Sequence, residues 1–131
     1  MIPSGAPAPA IAVFAPRERA RAFARAAFPR RRARVVAVKG GEDLAALFRS
    51  ELVDAAIVDL GAPTEETWKV AALAREFPSA PFFGVTALRA ADGPGVARCA
   101  ALDFADVLVE TVDDAVAREL ISARTFTARF A

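Results

Sequence analysis

Short apolar runs alternate with amphipathic stretches along this chain. Ile11-Ala-Val-Phe-Ala15 is apolar throughout, has β-branched residues at alternate positions and stops at Pro16, the pattern of a buried strand. From Arg17 to Phe28 the period changes. Arg17, Arg21 and Arg25 recur every four residues, Ala20, Phe23, Ala24 and Ala27 take the other side, and Pro29 closes the helix. Arg34–Val38 reads as a second strand. After the break at Gly40-Gly41, a helix over Glu42–Leu52 sets Leu44, Leu47, Phe48 and Leu52 on one face. Val53–Leu60 is the clearest strand, an apolar run ending in a lone carboxylate, Asp59, just before the turn Gly61-Ala62-Pro63. Thr64 caps the next helix, with Glu65 and Glu66 in the first turn, where the helix dipole favours them, and Val70, Leu73 and Phe77 toward the core. Pro81–Thr86 is a fourth strand with almost no polar content, as suits a strand covered on both faces. A loop through Gly93-Pro94-Gly95 leads to a weak helix over Val96–Leu102 and a fifth strand, Ala105–Glu110. Thr111, followed by Asp113 and Asp114, opens a last helix with Val116, Ala117, Leu120 and Ile121.

Five such alternations predict an α/β fold, a parallel sheet with helices on both faces, because right-handed crossovers leave few other arrangements. With five strands the expected order is the flavodoxin-like 2-1-3-4-5. Ligands of such sheets bind beyond the carboxyl ends of the strands. The residues to inspect are therefore 15–19, 39–41, 59–63, 86–89 and 110–111. The expected organisation is a flexible Pro/Ala lead over 1–9, one domain over 10–123, and the start of a linker or tail helix over 124–131. In that tail Phe126 and Phe130 keep helical spacing.

Composition narrows the chemistry. The chain has 131 residues, 55% hydrophobic and 25% charged, which is enough for one globular domain without a metal or disulfide staple. One Cys and no His exclude disulfide scaffolds, Cys/His zinc sites and Ser-His or Cys-His relays. The net charge of +1 hides a dipole. Residues 1–40 hold nine Lys and Arg against one Glu, a local +8, and the remainder carries −7. No stretch reaches the ~18 apolar residues of a membrane span and the first ten residues lack the pattern of a secretory signal, so a cytoplasmic location is expected.

Three features together bring a family into view: Asp59 in IVDLGAP, Thr86-Ala87 in FFGVTA, and ADVLVE as the fifth strand. In their order and spacing the chain resembles the receiver domain of bacterial response regulators from about Ile11 to Ala123. The resemblance implies a phosphoacceptor position at Asp59 and a switch position at Thr86. In that family an acidic pair after the first strand holds Mg²⁺, and a Lys ends the fifth strand. Here the first of these positions reads Phe14-Ala15-Pro16 and the second reads Glu110. Mg²⁺ needs several hard oxygen ligands, phosphoryl transfer needs cationic stabilisation, and Glu110 adds a second negative charge near Asp59. The implied protein is a degenerate receiver without metal or other cofactor.

The individual candidates remain open between chemistry and structure. Asp59 is either a residual phosphoacceptor, or a cation site with Glu110, or a polar strand end satisfied by Gly61-turn N–H groups or by Arg17 or Arg19; the last is expected. Thr86 is expected to bond backbone. Gly40-Gly41 lacks the rest of any phosphate-loop pattern. Arg30-Arg31-Arg32 with Arg34 is either a contact for a nucleic-acid backbone or, as expected, a solvated loop. On an ideal helix Trp68 lies ~160° from Val70, so it is either an exposed anchor for a partner or is bent over the crevice mouth. Cys99 is expected to be a small buried filler.

The expected function is a phosphorylation-independent signal-input or dimerisation module of a bacterial transcriptional regulator, with no enzymatic activity. Val112, Val116, Leu120 and Ile121 form an apolar arc wider than one core contact needs, and with Trp68 they are the candidate interface of a homodimer. DNA would be reached only through an output domain outside this chain, and no membrane contact is expected. The alternatives are a small ligand-binding or enzymatic α/β domain using Asp59, Thr86 and Glu110, and a phosphorylated receiver with unorthodox metal ligands.

Overall fold

The computed structural model describes residues 10–28, 33–86, 98–99 and 101–109, with Val109 described by its backbone only. Five strands, β1 (Ala10–Phe14), β2 (Arg34–Ala37), β3 (Ala55–Asp59), β4 (Phe82–Thr86) and β5 (Asp106–Val109), form one sheet in the order β2-β1-β3-β4-β5. Every neighbouring pair is parallel. Among the described residues three helices join β1 to β2, β2 to β3 and β3 to β4: α1 (Glu18–Ala27), α2 (Gly41–Ser50) and α3 (Glu65–Glu76). This is the flavodoxin-like arrangement that the alternation predicts. The expected last helix, the loop at 93–95, Arg30–Arg32, and the candidate residues Glu110, Val112, Val116, Leu120 and Ile121 lie outside the described residues. Among the described residues no helix is long and apolar enough to cross a membrane.

The apolar runs become strands because both faces of the sheet are covered. On one face Ile11, Val13, Ile57, Phe83 and Val85 pack against Phe23, Ala24 and Ala27 of α1. On the other face Ala12, Val58 and Phe82 pack with Leu44 of α2, Val70 and Ala74 of α3, and Cys99. Residues 10–14, 55–59 and 82–86 are buried throughout, which removes the polar alternation a one-sided sheet would show. The edge strand β2 is only partly covered.

Three expectations about these elements need correction. The strand expected over Val53–Leu60 is limited to Ala55–Asp59, and Leu52, placed on the core face of a helix, lies beyond the end of α2 and is 73% exposed. Helix α2 stops at Ser50, with the Glu51 N–H closing its last turn on the Leu47 carbonyl, so the periodicity that includes Leu52 runs past the last helical residue. The core stripe of α3 is also rotated from the expected Val70/Leu73/Phe77. Thr67, Val70, Ala71 and Ala74 are its buried residues, whereas Leu73 and Phe77 are half-buried. Small residues face the sheet because α3 packs close to it, and the larger Leu73 and Phe77 flank that contact. Phe77 instead stacks on Phe48 of α2, with ring centroids 4.5 Å apart.

Candidate functional site

The carboxyl end of β3 carries the one charged side chain among the described buried residues, Asp59, at 3% exposure. Parallel pairing sets Phe14 beside Val58, so the chain leaving β1 passes over Asp59. At that point α1 begins, with Arg17 at its N-cap. Arg17 places Nε at 2.8 Å and Nη2 at 2.6 Å from Asp59 Oδ1, and its backbone N–H donates to Oδ2 at 3.1 Å. The Gly61 N–H donates to Oδ1 at 2.9 Å. Thus Asp59 receives the Gly61-turn N–H and Arg17 together. It also sits at the N-terminus of α1, where the helix dipole favours a negative charge. Burying a carboxylate is costly unless it is paired and hydrogen-bonded, and here one residue supplies both the guanidinium and a backbone donor.

Gly61 makes this arrangement possible. The guanidinium lies close against its backbone, and a Cβ on residue 61 would overlap Arg17 Cζ and Nε. Arg21 fixes the same β1–α1 turn from outside, donating through Nη1 to the carbonyls of Ala15 at 2.9 Å and Pro16 at 2.7 Å.

Gly40-Gly41 is not an open phosphate loop. The Gly41 N–H at the start of α2 donates to Glu66 Oε1 from α3 at 2.8 Å, and Asp43 Oδ2 accepts from the Lys39 N–H at 2.8 Å. A Cβ on Gly40 would overlap Glu66 Oε1, so this glycine allows the carboxylate to close on the helix end. Thr64 and Thr67 cap α3 reciprocally.

Thr86 ends β4 at 1% exposure, in register with Val109 of β5. The backbone bond expected of its hydroxyl is not among the hydrogen bonds of the described residues. Trp68 is half-buried against the cluster on the α2/α3 face, and Arg98 lies over its ring, Cζ 4.3 Å from the centroid. The rotation that buries Thr67 and Ala71 of α3 brings Trp68 to the flank facing Arg98. Cys99 is fully buried and burial pushes its thiol up to about 11, so it stays protonated at neutral pH.

The divalent cation that the resemblance implies does not fit this site. Phe14, Ala15 and Pro16 offer no carboxylate, and the guanidinium of Arg17 already lies on Asp59. Among the described residues no three Cys, Asp or Glu side chains are grouped to hold a metal ion.

No protein-family model matches the sequence, and no curated protein matches it in sequence either. Solved structures match in fold. A response regulator from Thermotoga maritima aligns with a TM-score of 0.73 at 15% identity, over 92% of this chain and 99% of its own. The signal receiver domain of an HD domain-containing protein from Pseudomonas fluorescens Pf-5 aligns with a TM-score of 0.75 at 14% identity, over 95% and 100%. A response regulator receiver domain protein from Methanospirillum hungatei JF-1 gives 0.72 at 13%, over 95% and 98%. This chain shares the receiver fold.

Proposed function

We propose that the chain is a receiver-like signal-input module that works without phosphoryl transfer, its third-strand carboxylate being neutralised by Arg17 in place of a divalent metal. The observation that carries this reading is the guanidinium of Arg17 on Asp59 Oδ1, at 2.6 and 2.8 Å. Transfer to a carboxylate needs a free oxygen in line with the phosphorus and a cation that also binds the transferred oxygens. A guanidinium brings one positive charge and no coordination positions, and here it and two backbone N–H groups occupy both oxygens of Asp59. Glu110 stands in sequence where the resembled family has its Lys, which lowers the stabilisation of a phosphoryl group further.

In this reading the module has no catalytic activity and acts through protein contacts in the cytoplasm. A homodimer through Val112, Val116, Leu120 and Ile121 is the expected contact. DNA is reached only through an output domain of a transcriptional regulator outside these residues. The test is incubation with acetyl phosphate and Mg²⁺ followed by intact-mass spectrometry. The expected mass is that of the unmodified chain. A stoichiometric phosphoryl adduct that disappears in Asp59→Asn would make the protein a phosphorylated receiver and overturn the proposal.

A further inference from the structure

Away from the Asp59 crevice, a groove of about 720 Å³ runs between α1 and the edge strand β2. Its walls are apolar, formed by Val13, Ala24, Phe28, Val35 and Ala37, and Arg25 and Arg34 stand at its rim. The groove is a consequence of sequence. Helix α1 turns Ala20, Ala24 and Ala27 toward the sheet, and these side chains are too short to extend over β2, so Val35 stays half-buried and Ala37 exposed. Among the described residues β2 pairs with β1 alone. The Val38 N–H donates to the Val13 carbonyl at 2.9 Å, so by strand alternation Arg34 and Val36 face β1. Val35 and Ala37 then turn their N–H and C=O groups to the open edge.

We propose that this edge takes an extended acidic segment of a protein partner as a sixth strand, with alternate apolar side chains in the groove and the intervening carboxylates on the opposite face, toward Arg34. Three observations select that occupant. An open edge offers main-chain bonds to an extended chain, and the groove beside it accepts side chains at every second residue. Arg25 and Arg34 each place one nitrogen on a glutamate, Glu18 and Glu51, yet remain 58% and 53% exposed. Residues 1–40 carry +8 overall, which draws an acidic partner and repels a basic one. The same charge opposes a second copy of this chain, since pairing two β2 edges would bring both arginine rims together. This inference does not depend on the fate of Asp59.

The probe is a fluorescein-labelled, end-blocked heptapeptide of alternating glutamate and valine, titrated with the 131-residue chain and followed by anisotropy. Saturable binding is expected, with slowed exchange of the Val35 and Ala37 amides. Affinity falls about tenfold or more in Arg25→Glu/Arg34→Glu and in Ala37→Phe, which fills the groove from an exposed position. Thermal melts confirm that each variant folds. Several results would overturn the proposal: no saturable binding, binding indifferent to both variants, equal binding of the lysine–valine analogue, or a dimer of the free chain that Ala37→Phe dissolves.

Discussion

Arg17→Ala lowers the free energy of unfolding by about 2 to 3 kcal/mol, and much of that loss disappears when Asp59→Asn is added. Removing one partner of a buried ion pair typically costs ~3 to 5 kcal/mol, because the remaining charge is left in a poor solvent. The lower figure applies here since the Arg17 side chain is 25% exposed and Asp59 keeps the Gly61 N–H. An asparagine in place of Asp59 is neutral and still accepts that hydrogen bond, so the double variant no longer buries an uncompensated charge. Gly61→Ala places a methyl group where the guanidinium lies, so it is destabilising with Arg17 present and close to neutral in the Arg17→Ala background. Urea denaturation of the single and double variants measures these couplings. Strict additivity would mean that the contact contributes nothing to the folded state.

Phe82→Ala costs about 3 to 5 kcal/mol, the range for truncating a buried aromatic side chain. Phe82 is 1% exposed and stands between two rings, Phe48 at 6.0 Å and Phe104 at 5.8 Å between centroids. Phe48 is itself stacked on Phe77, and Phe104 belongs to the turn before β5, so neither can follow a shrinking side chain without breaking other contacts. The cavity therefore stays open. Phe82→Leu retains most of the volume and should cost about half as much or less. The fluorescence of Trp68, packed on the same cluster, follows both transitions in denaturant. An alanine variant within ~1 kcal/mol of wild type would show that the cluster repacks.

The strands are the most legible part of the chain because burial on both faces writes them as continuous apolar runs, and turn residues mark their ends. Helix existence is legible, but helix rotation is not. An ideal wheel sets Trp68 opposite a Val70/Leu73/Phe77 stripe, and the close approach of α3 to the sheet turns small residues inward instead. Leu52 fits the helical period yet lies outside the helix, because periodicity carries no information about where α2 ends. At the crevice, the sequence narrows the surroundings of Asp59 to the Gly61 turn, Arg17 or Arg19, and parallel pairing of β1 with β3 sets Arg17 on it. The role of Gly61 as a seat for a guanidinium, and of Glu66 as the carboxylate at the start of α2, depend on residues 44 and 25 positions away in the chain. No local pattern announces such pairs. The groove beside β2 is equally hidden, since it comes from short side chains on one element and an open edge on another.

In the proposed reading Arg17, and not a divalent cation, neutralises Asp59, and nitrogen-detected NMR of the arginine side chains tests this most directly. A guanidinium held at 2.6 to 2.8 Å from a buried carboxylate gives an Nε–H signal protected from exchange, which Arg17→Lys removes and Asp59→Asn shifts. That signal is expected in the wild-type chain, unmoved as Mg²⁺ is raised to millimolar concentrations. A freely exchanging Arg17, or a signal that Mg²⁺ displaces saturably, would contradict it.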